Sequence, residues 1–253
     1  MTHVGQTEEP ELSFLAHLIE LRSRLMKAVL SVLAVFLGLL PFSQELYSWL
    51  SKPLLAHMPE NSQMIAIDVA SPFLTPLKLT LFVAMVIAVP VVLYQVWSFV
   101  APGLYKHEKK LALPLLVSST FLFYGGCIFA YYVILPIVFG FFTGAAPEGV
   151  AVMTDIARYL DFVMIIFFAF GVSFEIPIVA ILLVATGVST PKSLAAKRPY
   201  VVVGAFTIGM FLTPPDIISQ TLLAIPMWLL YELGIIFSAA FKPKPVEQEH
   251  ISD

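Results

Sequence analysis

The chain has 253 residues, 59% of them hydrophobic and only 12% charged, with a mean hydropathy of +0.90 and a net charge of -3. A soluble domain carries about twice that charged fraction, and the apolar residues here come in long runs, so a separate aqueous domain and a nucleic-acid-binding role are excluded. The single cysteine, Cys127, rules out an intramolecular disulfide and a cysteine-built metal site.

The expected class is all-α: a polytopic membrane protein with six transmembrane helices. Residues 1–25 read as a cytoplasmic N-terminal segment, 26–240 as the membrane domain and 241–253 as a polar cytoplasmic tail. Met1 to Glu11 is polar and acidic with no cleavage-site pattern, so the first apolar segment is expected to stay in the protein. Leu12, Leu15, Leu18, Ile19 and Leu25 share one side of a helical projection, opposite Ser13, His17, Glu20 and Arg24. That pattern predicts a helix lying on the cytoplasmic surface before the chain turns inward.

The six apolar segments are Met26–Leu40, Leu77–Val100, Leu111–Phe142, Phe162–Gly187, Tyr200–Leu212 and Ile217–Phe237. Each is read as a helix, because in lipid the backbone has no water to bond. Ser43–Leu55, with Leu46, Tyr47, Trp49 and Leu50, is expected to cap the outer face. The positive-inside rule orients the whole. Arg22, Arg24, Lys27, Lys106, Lys109, Lys110, Lys192, Lys197, Arg198, Lys242 and Lys244 fall on one side, and only Lys52, Lys78 and Arg158 on the other. Both termini are therefore expected in the cytoplasm.

The fourth segment is about 39 Å long and must tilt or bend at Pro177, whose missing N–H frees the Ser173 carbonyl. The fifth is about 20 Å long against a hydrocarbon core of about 30 Å. The sixth carries Pro226 between Asp216 and Glu232. Two such short helices need shielding partners or a thinned bilayer. No internal repeat is evident.

Four groups of side chains carry chemistry. Glu175 is the only charged residue between Asp161 and Lys192 and sits mid-membrane, where a carboxylate costs roughly 3 kcal/mol. It is a proton relay, a buried structural polar group or an anchor for a partner helix. Glu20 and Arg22 lie in His17-Leu18-Ile19-Glu20-Leu21-Arg22. Glu20 either pairs with Arg24 at i,i+4 or receives a cationic ligand. Glu108 stands among Lys106, His107, Lys109 and Lys110, after Phe99 and Tyr105. It either softens a basic loop or binds a guanidinium, whose fork matches two carboxylate oxygens. In Met210 to Gln220, Pro214-Pro215 stops one helix and Asp216 is placed to cap the next, with Thr213 and Gln220 able to hydrogen-bond another helix. No hydrolase elbow, phosphate loop or metal motif occurs, so neither an enzyme nor a cofactor is expected. A proton-coupled solute transporter using Glu175 and Asp216 is the rival reading.

These segments together resemble the TatC family of twin-arginine translocases. The matching stretches are His17–Arg22, Phe99–Glu108, Phe170–Pro177, Lys197–Tyr200 and Phe211–Glu232. Ser71-Pro72-Phe73-Leu74-Thr75-Pro76 departs from the pattern, because many relatives carry a glutamate after the Ser-Pro. The resemblance implies a cup-shaped protein of the bacterial inner membrane. It would bind twin-arginine signal peptides of folded cargo at Glu20 and Glu108, with Arg22, Phe99 and Tyr105 nearby. Met210, Thr213 and Gln220, with Glu175 on the concave side, would meet the single-span partners TatA and TatB. Pro214, Pro215 and Asp216 would form a structural loop. Further TatC copies and membrane lipid complete the implied partners, and the proton-motive force would drive transport.

Overall fold

The computed structural model describes residues 9–55, 64–100, 109–144, 153–212 and 217–241. The first helix, α1 (Glu9–Leu39), is a single element of 31 residues. The separate surface helix expected up to Leu25 is merged into it. Residues 11–37 contain no Gly or Pro to break the helix, and the Glu20–Arg24 pair supports it at i,i+4 just before the expected turn. Pro41, in the 3-10 turn Leu40–Phe42, redirects the chain into α2 (Ser43–Leu55), which is helical as expected.

Pro53 lies in the last turn of α2 and donates no N–H, so the Trp49 carbonyl four residues earlier loses its helical partner. The Tyr131 hydroxyl donates to that carbonyl at 3.3 Å, and its ring stacks on Trp49 at 4.6 Å between centroids. Buried Tyr159 donates to the next carbonyl, that of Leu50, at 2.7 Å. Two tyrosines from the bundle thus hold α2 over its end. At that same end β1 (Met64–Ile65) and β2 (Thr154–Asp155) form a two-residue parallel pair.

The transmembrane stretches follow. α3 (Ser71–Val100) contains Pro76 and Pro90. α4 (Lys109–Phe129) passes through a π-helical turn, Ala130–Ile134, into α5 (Leu135–Gly144). There the Leu135 N–H reaches back to the Ala130 carbonyl, a wider turn immediately before Pro136. The fourth apolar segment is two helices, α6 (Ile156–Ser173) and α7 (Ile176–Ala185). Asp155 caps α6, its Oδ2 accepting from the Arg158 N–H at 3.2 Å. The expected bend falls at Phe174–Glu175, because Pro177 occupies the first turn of α7 and cannot continue α6. α8 (Pro191–Ala196), α9 (Arg198–Leu212) and α10 (Ile217–Ser238) follow, with a 3-10 turn at Ala239–Phe241 after α10.

Among the described residues five helical stretches are long and apolar enough to cross a membrane: 18–52, 71–99, 113–144, 156–185 and 220–238. The expected fifth span corresponds to α9, which has 15 residues and falls short by this measure. The largest core joins α2, α3, α5 and α6, with Leu79, Leu135, Leu160, Ile166 and Phe170 fully buried. A second core, built from Ala180, Val184, Leu194, Tyr231 and Ile235, ties α7 and α8 to α10. α1 packs along α3, and its apolar residues otherwise stay exposed.

Candidate functional site

Glu175 occupies the joint between α6 and α7. Its backbone N–H donates to the Val172 carbonyl at 3.0 Å, and its own carbonyl accepts from Val179 at 2.9 Å. The side chain caps neither helix. Instead the Ser119 hydroxyl of α4 donates to Glu175 Oε2. The other oxygen, Oε1, is buried and has no hydrogen-bond partner among the described residues. A buried acceptor without a partner costs about 1–3 kcal/mol. The same side chain lines a hollow of about 230 Å³ with Val172, Val179, Leu183 and Tyr231. Glu175 is therefore tied down through one oxygen, while the other is buried without a donor among the described residues.

Glu20 lies near the start of α1, and its Oε1 accepts from Arg24 Nε at 2.9 Å and also from Nη2. The i,i+4 pairing read from the sequence is present. A carboxylate has two oxygens, so this pairing leaves Oε2 available to a second cation. Arg22 is exposed and Phe99 half-buried. Phe36 of α1 lines one cavity with Leu74, Leu77 and Leu81 of α3, so the two helices run antiparallel. Glu20 and Phe99 therefore share the end of the bundle opposite α2. In the same turns of α1, Leu18, Ile19, Leu21, Leu25 and Met26 are all exposed, an apolar stripe on the helix face opposite Glu20.

α8, α9 and α10 form one tied unit. Arg198 grips Glu232 with two parallel hydrogen bonds, Nε to Oε1 at 2.6 Å and Nη2 to Oε2 at 2.8 Å. The Tyr231 hydroxyl donates to the Leu194 carbonyl at 2.8 Å. At the far end Gln220 Nε2 donates to the Phe206 carbonyl at 2.7 Å, and its side chain packs on Gly209. The amide expected to meet a partner helix is thus used within this hairpin, where it sets α9 against α10. Met210 and Phe211 beside it are exposed, Phe211 to 78%.

Glu108, Tyr105, Thr213, Pro214, Pro215 and Asp216 lie outside the described residues. Three polar pairings escaped the sequence reading: Ser119 with Glu175, Arg198 with Glu232, and Lys78 with Asp161. Ser119 had one visible signal, since Ser118-Ser119-Thr120 is the hydroxyl-rich run of the third span.

Several long apolar helices, a proline-broken span with a carboxylate at its joint and a short hairpin helix define a multi-pass helical membrane protein. The family model for the Sec-independent protein translocase protein (TatC) matches residues 16–226, and the chain belongs to that family. It is 56% identical over 234 residues to the Sec-independent protein translocase protein TatC of Azotobacter chroococcum mcd 1, covering 92% of each chain. It is 55% identical over 235 residues to that of Escherichia coli K12, covering 93% of this chain and 91% of the relative. A crystal structure of the twin arginine translocase receptor TatC superposes with a TM-score of 0.80 at 37% identity, over 89% of this chain and 99% of that one.

Proposed function

We propose that the chain is the signal-peptide receptor of a twin-arginine translocase, set in the bacterial inner membrane with both termini in the cytoplasm. The observation that carries this is at Glu20. An accessible carboxylate stands on one face of α1 and an exposed apolar stripe on the other face of the same turns, at the same end of the bundle as Phe99. A peptide that presents two guanidinium groups followed by a hydrophobic stretch finds a carboxylate and exposed apolar side chains at that one end of the bundle. Glu108 supplies the second carboxylate, and Arg22 and Tyr105 border it. TatA and TatB are the single-span partners, docking along α9 and α10 at Met210, Thr213 and Gln220, the last through the amide capacity that its bond to the Phe206 carbonyl leaves over. Pro214, Pro215 and Asp216 are the residues we assign to a structural loop beside that contact. The proton-motive force drives transport.

The test is photo-crosslinking from positions 20 and 108 in membranes holding the full chain. A twin-arginine peptide should be captured at least about tenfold more than its twin-lysine counterpart, because a lysine ammonium cannot form the bidentate pair. Equal capture of the two peptides contradicts the assignment.

Glu175 acts in this scheme as the contact for a polar group on a partner helix, supported by the unpartnered Oε1 beside the hollow that its side chain lines. Glu175→Gln keeps an amide that hydrogen-bonds, so export of a twin-arginine reporter should stay within a few-fold of the parent. Glu175→Ala should lower crosslinking of the single-span partners at this position by about tenfold, the equivalent of one lost charge-assisted hydrogen bond. Undiminished partner crosslinking and export in the alanine variant would rule out the anchor.

A further inference from the structure

Lys78 of α3 and Asp161 of α6 form an ion pair at the α2 end of the bundle. Lys78 stands seven residues after the start of α3, and Asp161 five after the start of α6. They are thus about 10 Å and about 8 Å inside their helices, one to two turns from the helix starts. Two cavities meet at this pair, and both are lined by Lys78 and Asp161. The one toward α2, of about 500 Å³, carries Asp68, Ser71 and Thr75. The one toward the bundle middle, of about 720 Å³, is lined by apolar side chains such as Phe82, Met85, Ile165 and Phe168. The first cavity mixes its polar groups with Phe36, Leu74, Leu77 and Leu81, and the second is almost wholly apolar, so a headgroup held at the pair has an apolar groove beside it for an acyl chain.

Each partner of the pair keeps free bonding capacity. The side chains of Lys78 and Asp161 are 56% and 48% exposed, and among the described residues neither has another ionic partner. An ammonium has three donors and a carboxylate about four acceptor sites, of which the pair uses one each. The remainder fits one anion and one cation held side by side.

We propose that Lys78 and Asp161 form a binding site for a zwitterionic glycerophospholipid whose headgroup ends in a primary ammonium. Lys78 donates to the phosphate, Asp161 accepts N–H bonds from the headgroup ammonium, and an acyl chain fills the 720 Å³ groove along α6. A trimethylated headgroup has no N–H to give Asp161, and a glycerol headgroup brings no cation, so the site separates three common phospholipids. It lies at the opposite end of the bundle from Glu20 and is independent of signal-peptide recognition.

Native mass spectrometry tests this on the full chain, exchanged from vesicles of equal parts phosphatidylethanolamine, phosphatidylcholine and phosphatidylglycerol into mild detergent. Phosphatidylethanolamine should be retained about tenfold over phosphatidylcholine, the difference made by one charge-assisted hydrogen bond. Lys78→Gln and Asp161→Asn should each reduce that ratio toward one. Ile165→Trp, at an exposed position on the groove, should lower retention of every lipid while leaving the ion pair in place. Equal retention of the ethanolamine and choline lipids by the unaltered chain overturns the proposal. So does phosphatidylglycerol bound in excess, or a ratio that survives both neutralising substitutions.

Discussion

Alanine at position 126 will lower the thermal midpoint of the detergent-solubilised protein by roughly 5–10 °C, whereas alanine at the adjacent position 125 will not lower it. A Cβ on Gly126 of α4 would sit 2.5 Å from the Phe170 carbonyl oxygen and 2.9 Å from its carbon. Both atoms belong to the backbone of α6, in the fully buried neighbourhood of Phe170. The helices must separate to admit it, and such overpacking costs about 1–3 kcal/mol, with roughly 2–4 °C lost per kcal/mol in a chain of this size. A Cβ on Gly125 meets only ring carbons of Phe174 at 3.9 Å, an ordinary contact. There the higher helix propensity of alanine remains as a gain of up to about 1 kcal/mol. Gly171 lies between the two cases, because its obstacle is the Phe123 ring at 2.7 Å, a side chain that can turn aside. Melting curves for the three alanine variants should rank 125, then 171, then 126. A Gly126 variant that melts with the parent would show that α4 and α6 do not need this close approach, the small-residue packing that holds membrane helices together.

Reversing the charge at Glu108 will abolish capture of a twin-arginine peptide while the protein remains in the membrane. In Glu108→Arg the stretch from Lys106 to Lys110 holds four basic side chains and a histidine and no acid, so the loop repels the arginine pair it is proposed to bind. Removing one member of a desolvated, hydrogen-bonded charge pair costs roughly 2 kcal/mol or more, a loss of at least about thirtyfold. Reversal adds repulsion to that. Glu20→Gln should have a smaller effect, because Glu20 already shares its charge with Arg24 and the neutral amide still accepts a hydrogen bond. Crosslinking yield and export of a reporter with a twin-arginine signal read both variants. Normal capture by a membrane-inserted Glu108→Arg protein would remove Glu108 from the recognition site.

The spans were legible because a lipid-exposed backbone must bond to itself, and a long apolar run permits only a helix. The break beside Glu175 was legible for an equally local reason, since Pro177 carries its consequence in its own ring. The start of α1 was not. The stripe from Leu12 to Leu25 reports which face of a helix is apolar, but periodicity is the same whether that helix ends or continues. The polar pairings failed for a different reason. Ser119 and Glu175 are 56 positions apart, and Lys78 and Asp161 are 83 apart. Only the packing of α4 and α3 against α6 brings them together. Gln220 shows the same limit from the other side: a hydrogen-bonding side chain in an apolar helix announces that it has a partner, and here that partner is the Phe206 carbonyl of its own hairpin.

The proline near the end of α2 has a consequence on an evolutionary scale. Pro53 leaves the Trp49 carbonyl without a helical donor, and Tyr131 answers that need from another helix. A lineage that exchanges Pro53 for any other residue restores the N–H within α2 and releases position 131 from keeping its hydroxyl. A lineage that first replaces Tyr131 with phenylalanine leaves that exposed carbonyl without a donor from the protein. The two positions should therefore drift as a pair with a preferred order of change, proline lost before hydroxyl, although 78 residues of chain separate them.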